Sequence, residues 1–369
     1  MSTTWMFVGG CNRPLPYFAT ANAGGIATFR FDEDSGAATP VGLTEGIDNP
    51  TFLAVDPSGE TLNATSEVLG WHEGVVTAYA IDRATGALTY INKQPTRGSI
   101  AAQLSFDRTG RFLLAANYGV GPVTHRPNRS VVVIPRRPDG ELLAPVAEAT
   151  HEGAGPDPAR QDRPHAHSVL ASPDNRFLVV ADLGIDQLVV YKFDADTGAF
   201  ARHAGFALPA GSGPRHFVWH PDRPFAYVVC ELGSAVASLG FDPEAGRFEL
   251  LGVVKTAPES ALQGNHCSEI RISASGRHLY VGNRGHDSIA RLAVDAGSGV
   301  AELVDTTPSG GKTPRHFAFD PSGKFLAVAN QDSDLISLFS VGTSDGALKP
   351  LPQQVITGTP TAIAFARMD

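Results

Sequence analysis

Short apolar stretches recur along the chain at intervals of roughly 50 residues, each broken at its middle by a polar turn. The copies read Thr51-Phe-Leu-Ala-Val-Asp-Pro-Ser-Gly59, Leu104-Ser-Phe-Asp-Arg-Thr-Gly110 and Ser168-Val-Leu-Ala-Ser-Pro-Asp174. They continue as His216-Phe-Val-Trp-His-Pro-Asp222, Glu269-Ile-Arg-Ile-Ser-Ala-Ser-Gly276 and His316-Phe-Ala-Phe-Asp-Pro-Ser-Gly323. In Asp-Pro-Ser-Gly, Pro presets φ at the second position and Gly tolerates φ > 0 near the end, so the pattern predicts two strands joined by a tight turn. An apolar segment follows each turn, as in Phe177-Leu-Val-Val-Ala181 and Phe325-Leu-Ala-Val-Ala329. A third strand comes next (Leu188–Phe193, Ile336–Phe339), then an Asp/Gly turn and a more polar fourth strand. Continuous apolar runs mark strands buried on both faces, and the polar one faces solvent.

Each repeat therefore predicts one antiparallel four-stranded blade, and six copies fill residues 49–356. The segment Thr359-Pro-Thr-Ala-Ile-Ala-Phe-Ala366 reads as a seventh first strand with nothing after it. The N-terminal part supplies the rest: Trp5–Val8, Gly25–Phe31 and residues 38–44. The expected fold is all-β, a single-domain seven-bladed β-propeller over residues 1–369 whose last blade is closed by strands from both termini. A β-sandwich would not generate in-register copies. Closure also removes free sheet edges.

Composition agrees with this reading. Gly (39) and Pro (27) are spread without a linker-like block, and charged residues are only 18% of the chain, which suits many short strands rather than long helices. A net charge of −9 gives no electrostatic case for nucleic acid or an anionic membrane as partner. Cys11, Cys230 and Cys267 lie far apart in no metal-like spacing, so reduced thiols and a cytoplasmic location are expected. No apolar run approaches the ~18 residues of a membrane span.

The topology tells where chemistry can lie. The start of each first strand and the end of each second strand share one face, so both positions in every blade ring one channel mouth. The first-strand column reads Thr51, Ala102, His167, Arg215, Ser268, Arg315, Thr361, and the next column Phe52, Gln103, Ser168, His216, Glu269, His316, Ala362. Cationic and titratable groups gather in blades three to six. The blade built from both termini is expected to contribute closure and almost no catalysis.

The second-strand ends give Glu67, Asn117, Asp182, Glu231, Asn283 and Asn330. Short polar side chains here cap backbone groups where a strand turns away, which is the reading for Asn117, Asp182 and Asn330. Glu231, longer and beside Arg215 and His167, is equally readable as a cap or as an acid/base. One residue on, the column is Val68, Tyr118, Leu183, Leu232, Arg284, Gln331. Arg284 breaks an apolar position with a fixed cation, which points to anion recognition. His286 follows it as a loop residue. His216 and His316 recur after Pro-Arg, a repetition that favours bracing over catalysis. His165 and His167 lack a third ligand at any recognisable spacing, so no metal and no cofactor is expected.

At Pro164-His-Ala-His-Ser168, Gly213-Pro-Arg-His-Phe217, Cys230-Glu-Leu-Gly-Ser234, Gly282-Asn-Arg-Gly-His-Asp-Ser288, Thr313-Pro-Arg-His-Phe317 and Ala329-Asn-Gln-Asp-Ser333, the sequence resembles the seven-bladed propeller lactonase family. That family includes 6-phosphogluconolactonases of the cycloisomerase type and carboxy-cis,cis-muconate lactonising enzymes. The resemblance spans almost the whole chain. It implies an active site on His167, Arg215, Arg284 and Glu231, residues the column reading had already isolated. Substrate-binding roles are expected for His165, His216, Asn283, His286, Arg315, His316 and Gln331.

The expected partner is a small anionic lactone, first of all 6-phosphogluconolactone hydrolysed to 6-phosphogluconate. Arginines would hold the anion or the oxyanion, and either Glu231 or His167 would activate water. Two alternatives are a muconate cycloisomerase and a non-catalytic propeller scaffold. The segment Gly121–Arg129, between the second and third strands of its blade, departs from the repeat on the site face.

Overall fold

The computed structural model describes residues 3–120 and 127–368; residues 121–126, most of the departure from the repeat, lie outside the described residues. Among the described residues, twenty-eight strands form seven four-stranded antiparallel sheets, with three short 3₁₀ turns between them. The closing sheet runs Pro360–Met368, Thr3–Gly10, Ile26–Phe31, Ala38–Thr44 in spatial order. Its seam pairs Thr3 with Met368 at one end and Gly10 with Pro360 at the other. The seven-bladed propeller closed by both chain ends is thus the observed architecture.

The expected turns form by one mechanism. In the Asp320 copy, Oδ1 accepts the amide of Phe325 at 2.8 Å and Oδ2 that of Ser322 at 3.0 Å, while Gly323 sits at φ +70°. Asp56 does the same for Thr61 and Ser58, with Gly59 at φ +76°. Where Ser172 replaces the aspartate, its hydroxyl accepts the Phe177 amide at 3.0 Å. A β-branched residue at either glycine would be strained at that φ.

Apolar side chains of neighbouring sheets interdigitate to form the core. Between blades three and four, Phe177, Val179 and Leu188 meet Phe217, Trp219 and Val228. The fourth strands alternate exposed and half-buried positions, as in Arg247–Lys255. Cys11, Cys230 and Cys267 are buried free thiols. Among the described residues no helix is long and apolar enough to cross a membrane.

One recurrent irregularity positions the site. In the first strands of blades two to six, the pairing with the second strand slips by one residue near the channel mouth. The unpaired residue is Ala102, His167 or Arg315 in three of them, and the slip falls across Arg215–His216 and Ser268–Glu269 in the other two. A bulge releases its residue from the alternation of faces and re-aims it. The column of candidate residues in the sequence is therefore a column of β-bulges.

Candidate active site

The bulges face a cavity of about 360 Å³ at one mouth of the channel. His167, Arg215, His216, Glu231, Arg284, Arg315 and His316 all line it, together with Tyr17, Glu67, Tyr118, Arg160 and His266.

Glu231 is the electrostatic centre. Its Oε2 lies 3.0 Å from Arg215 Nε and 2.9 Å from Arg284 Nη2, and its Oε1 lies 2.5 Å from Arg160 Nη2. Burial would push this carboxyl up, but Arg284, Arg160 and Arg215 outweigh it and hold Glu231 well below the usual carboxylate range. With both oxygens engaged, Glu231 is ionised and a weak base. Arg215 also donates Nη1 to the Ser268 carbonyl at 2.7 Å, and Arg284 donates to the Cys267 carbonyl at 3.0 Å. Burial draws the pKa of both guanidiniums down, yet a paired guanidinium stays protonated at neutral pH.

His167 differs in kind. Its ring is buried, edge-on to Tyr118 and His216, and its Nδ1 has no hydrogen-bond partner. Burial, then the cationic Arg215, push its pKa well below the ordinary histidine value of 6.5, so the imidazole is neutral. A neutral imidazole offers one free lone pair, which a clamped carboxylate does not.

Beneath the cavity, Glu269 joins two histidines. His216 Nδ1 lies 3.0 Å and His316 Nε2 3.2 Å from its Oε2, and Arg271 reaches its Oε1 at 3.4 Å. His316 Nδ1 accepts the Ile363 amide at 3.2 Å, which fixes Nε2 as the protonated nitrogen that donates to Glu269. The Phe52 ring stands edge-on to both histidines, 5.9 and 5.6 Å away. His216 and His316 thus brace the cavity floor while still presenting to it.

A second pole lies across the mouth. Glu67 accepts Thr51 Oγ1 at 2.7 Å and the Tyr17 hydroxyl at 2.6 Å, and Arg315 Nη2 is 4.0 Å from it. Arg315 lies over the Phe18 ring at 4.7 Å. Tyr17 and Phe18 belong to the segment between Thr3–Gly10 and Ile26–Phe31, and Thr361 of the last strand also lines the cavity. The closing blade, expected to contribute closure and almost no catalysis, also builds one wall of the cavity.

Four residues expected to bind substrate do not line the cavity. His165 stacks on Tyr118 at 4.2 Å and bonds the Tyr118 carbonyl through Nδ1 at 2.8 Å, so its ring serves the blade edge. Asn283 spends its amide on the Thr256 carbonyl and hydroxyl, at 2.9 and 2.8 Å. It is a cap like Asn117 and Asn330, which bond the Thr96 and Ser309 carbonyls. His286 bonds the Ser288 hydroxyl at 2.7 Å. Gln331 donates to Asp332 at 2.8 Å and touches Arg315 only at 3.5 Å, as a support.

The sequence reading missed Arg160, Glu67, Tyr118, His266 and Tyr17 as cavity residues. Glu67 and Tyr118 stood in the columns already read, so a demand for opposite charges near each arginine would have found Glu67. Arg160 and Tyr17 lie in irregular segments that carry no repeat register. Among the described residues no cluster of three His, Cys, Asp or Glu side chains is arranged to hold a metal ion.

A propeller whose channel mouth gathers four arginines around two carboxylates and a neutral histidine is a propeller enzyme with an anion-binding site. The chain belongs to the lactonase, 7-bladed beta-propeller family, whose profile matches residues 6–365, and it is a lactonase. It is 35% identical over 354 residues to the 6-phosphogluconolactonase of Bacillus subtilis (strain 168), covering 95% of this chain and 98% of that one. It is 31% identical to the 6-phosphogluconolactonase of Formosa agariphila over 95% of this chain and 96% of that one. Among solved structures, the periplasmic gluconolactonase of Pseudomonas aeruginosa superposes with a TM-score of 0.88 at 32% identity, over the full length of both chains. Family membership sets aside the non-catalytic scaffold.

Proposed function

We propose that the protein hydrolyses 6-phosphogluconolactone to 6-phosphogluconate by direct attack of water. One observation carries the choice of a phosphorylated lactone: the cavity holds Arg160, Arg215, Arg284 and Arg315 against Glu67 and Glu231, a formal excess of two positive charges. A phosphate monoester, with a second pKa near 6, is close to a dianion at neutral pH and matches that excess. Two relatives are named for the phosphorylated lactone, and a third for gluconolactone, which would leave the excess unmatched.

In this reading Arg215 and Arg284 face the lactone carbonyl and stabilise the oxyanion that forms on it. His167 takes a proton from the attacking water on its neutral imidazole. The tetrahedral intermediate then collapses, the ring C–O bond breaks, and the imidazolium returns the proton to the departing alkoxide. Glu231 stays ionised throughout and keeps the Arg215 and Arg284 guanidiniums together. A substrate of this charge does not cross a lipid bilayer unaided, which fits the cytoplasmic location expected from the cysteines.

The test is the rate of loss of 6-phosphogluconolactone with purified protein, against its spontaneous hydrolysis and against gluconolactone. Acceleration with preference for the phosphorylated lactone supports the reading. Preference for gluconolactone moves the substrate, and turnover of a carboxymuconate alone replaces hydrolysis by cycloisomerisation.

A further inference from the structure

Glu231 is held by three arginines that are not equivalent. The Arg215 side chain is 4% exposed and the Arg284 side chain 17%, and each also donates to a backbone carbonyl of the first strand of blade five. The Arg160 side chain is 35% exposed, and its partners, Glu231 and Tyr118, are both side chains. It alone takes Oε1, whereas the other two share Oε2.

The chain around Arg160 is fixed by backbone and buried side-chain bonds, while its head bonds only to side chains. It lies in the 16-residue connection 150–165 between Ala147–Ala149 and Ala166–Ala171, whereas the other connections between blades run from three residues (357–359) to ten (256–265). The neighbouring Gln161 is fully buried and donates Nε2 to the Leu183 carbonyl and to Asp186 Oδ1, both at 2.8 Å. Its amide closes a turn on the Asp157 carbonyl at 2.6 Å. The backbone is therefore pinned beside the mouth, and a long flexible side chain reaches from it over the cavity.

We propose that Arg160 is the specificity-determining residue of the mouth, a guanidinium that exchanges Glu231 for the anionic group of the incoming substrate. This rests on the lactonase reading of the cavity. An entering anion meets the most exposed of the three cations first. Transfer from carboxylate to phosphate keeps the guanidinium paired, so the exchange leaves no bare charge. Arg215 and Arg284 remain on Oε2 and keep Glu231 ionised, while Oε1 is released to the substrate or to water. Binding of the charged group and opening of Glu231 are then one event, which an uncharged lactone does not trigger.

The experiment compares kcat/KM for 6-phosphogluconolactone and gluconolactone in wild type, Arg160→Gln and Arg160→Lys. In Arg160→Gln the ratio of the two falls by about tenfold or more, mostly through KM for the phosphorylated lactone, and Arg160→Lys recovers part of it. An unchanged ratio, with both lactones slowed alike, overturns the proposal and leaves Arg160 a structural prop for Glu231. Calorimetric binding of inorganic phosphate at fixed ionic strength gives a readout independent of turnover. Weakening by about tenfold in Arg160→Gln supports the exchange, and equal affinity, or no binding to wild type, overturns it. If wild type opens neither lactone, the hydrolase reading fails by itself and the phosphate measurement still decides for or against Arg160.

Discussion

Arg284 Nη2 lies 2.9 Å from Glu231 Oε2, and the same guanidinium nitrogen donates to the Cys267 carbonyl at 3.0 Å. One end of the contact is charge and the other is backbone, so this arginine cannot follow a substrate and must be approached by it. Preorganised cations of this kind act on charge that develops during reaction. Arg284→Ala is expected to lower kcat by about 10²–10³ with a smaller change in KM. Steady-state kinetics check it: a loss confined to KM would assign Arg284 to ground-state binding instead.

Glu231 neutralises a cluster that is otherwise three buried or half-buried cations. Removing its charge in Glu231→Gln leaves those guanidiniums repelling one another, and loss of one partner of a buried pair costs about 3–5 kcal/mol. The variant should unfold at a lower denaturant concentration than wild type. Added phosphate or sulfate should restore more stability to it than to wild type, because the anion replaces the missing charge. Equal salt responses of the two proteins would show that the arginines do not depend on Glu231 for compensation.

The assignment of the base to His167 has a signature in pH. Burial and Arg215 keep its pKa well below 6.5, so the neutral form persists into mild acid. The acid limb of kcat/KM is expected to fall below pH 6.5, with a plateau through neutrality. His167→Gln should remove the limb together with about 10²–10⁴ of the rate. A limb that survives in this variant would transfer the base role to another group, His266 being one titratable alternative that lines the cavity.

The propeller was legible because its repeat is a backbone property: the Asp-Pro-Ser-Gly turn and the apolar second strand recur wherever a blade does. The site was legible only where chemistry breaks that repeat at a fixed register. His167, Arg215 and Arg315 occupy one bulge column, and Arg284 an otherwise largely apolar one, so the alignment exposed them. Asn283 and His286 misled because their motif, Asn-Arg-Gly-His-Asp-Ser, encodes a turn as well as a site. Gly285 there has φ +107° and Asp287 φ +53°, and Asp287 accepts the Thr313 amide of the next blade at 2.8 Å. Arg160 and Tyr17 reach the cavity from connections outside the repeat, where position along the chain says nothing about position in space. Glu67 was hidden by reading its column as caps, although its longer side chain carries a charge that Arg315 must face.

The floor of the cavity makes a prediction about stability rather than rate. His216 and His316 are buried against the ionised Glu269, with Arg271, Arg215 and the Phe52 ring packed around them. Burial, only partly opposed by Glu269, pushes His216 down to about 4 and His316 down to about 3 from an ordinary 6.5. Folded values below the unfolded value mean that the unfolded chain binds the protons in between. Their stabilising effect is fully present above pH 6.5 and is lost as pH falls from there toward 4 and 3. Each pH unit in that window removes up to about 1.4 kcal/mol per histidine. Glu269, held well below its ordinary 4.5, adds a loss of the same sign from 4.5 downward. Urea midpoints measured from neutrality into mild acid should therefore fall steeply well before carboxylates titrate, and His316→Gln should flatten that slope while lowering the midpoint at neutral pH. A wild-type midpoint that holds constant across the histidine range would mean that these rings are not kept neutral by the fold, and the tautomer assigned to His316 would go with it.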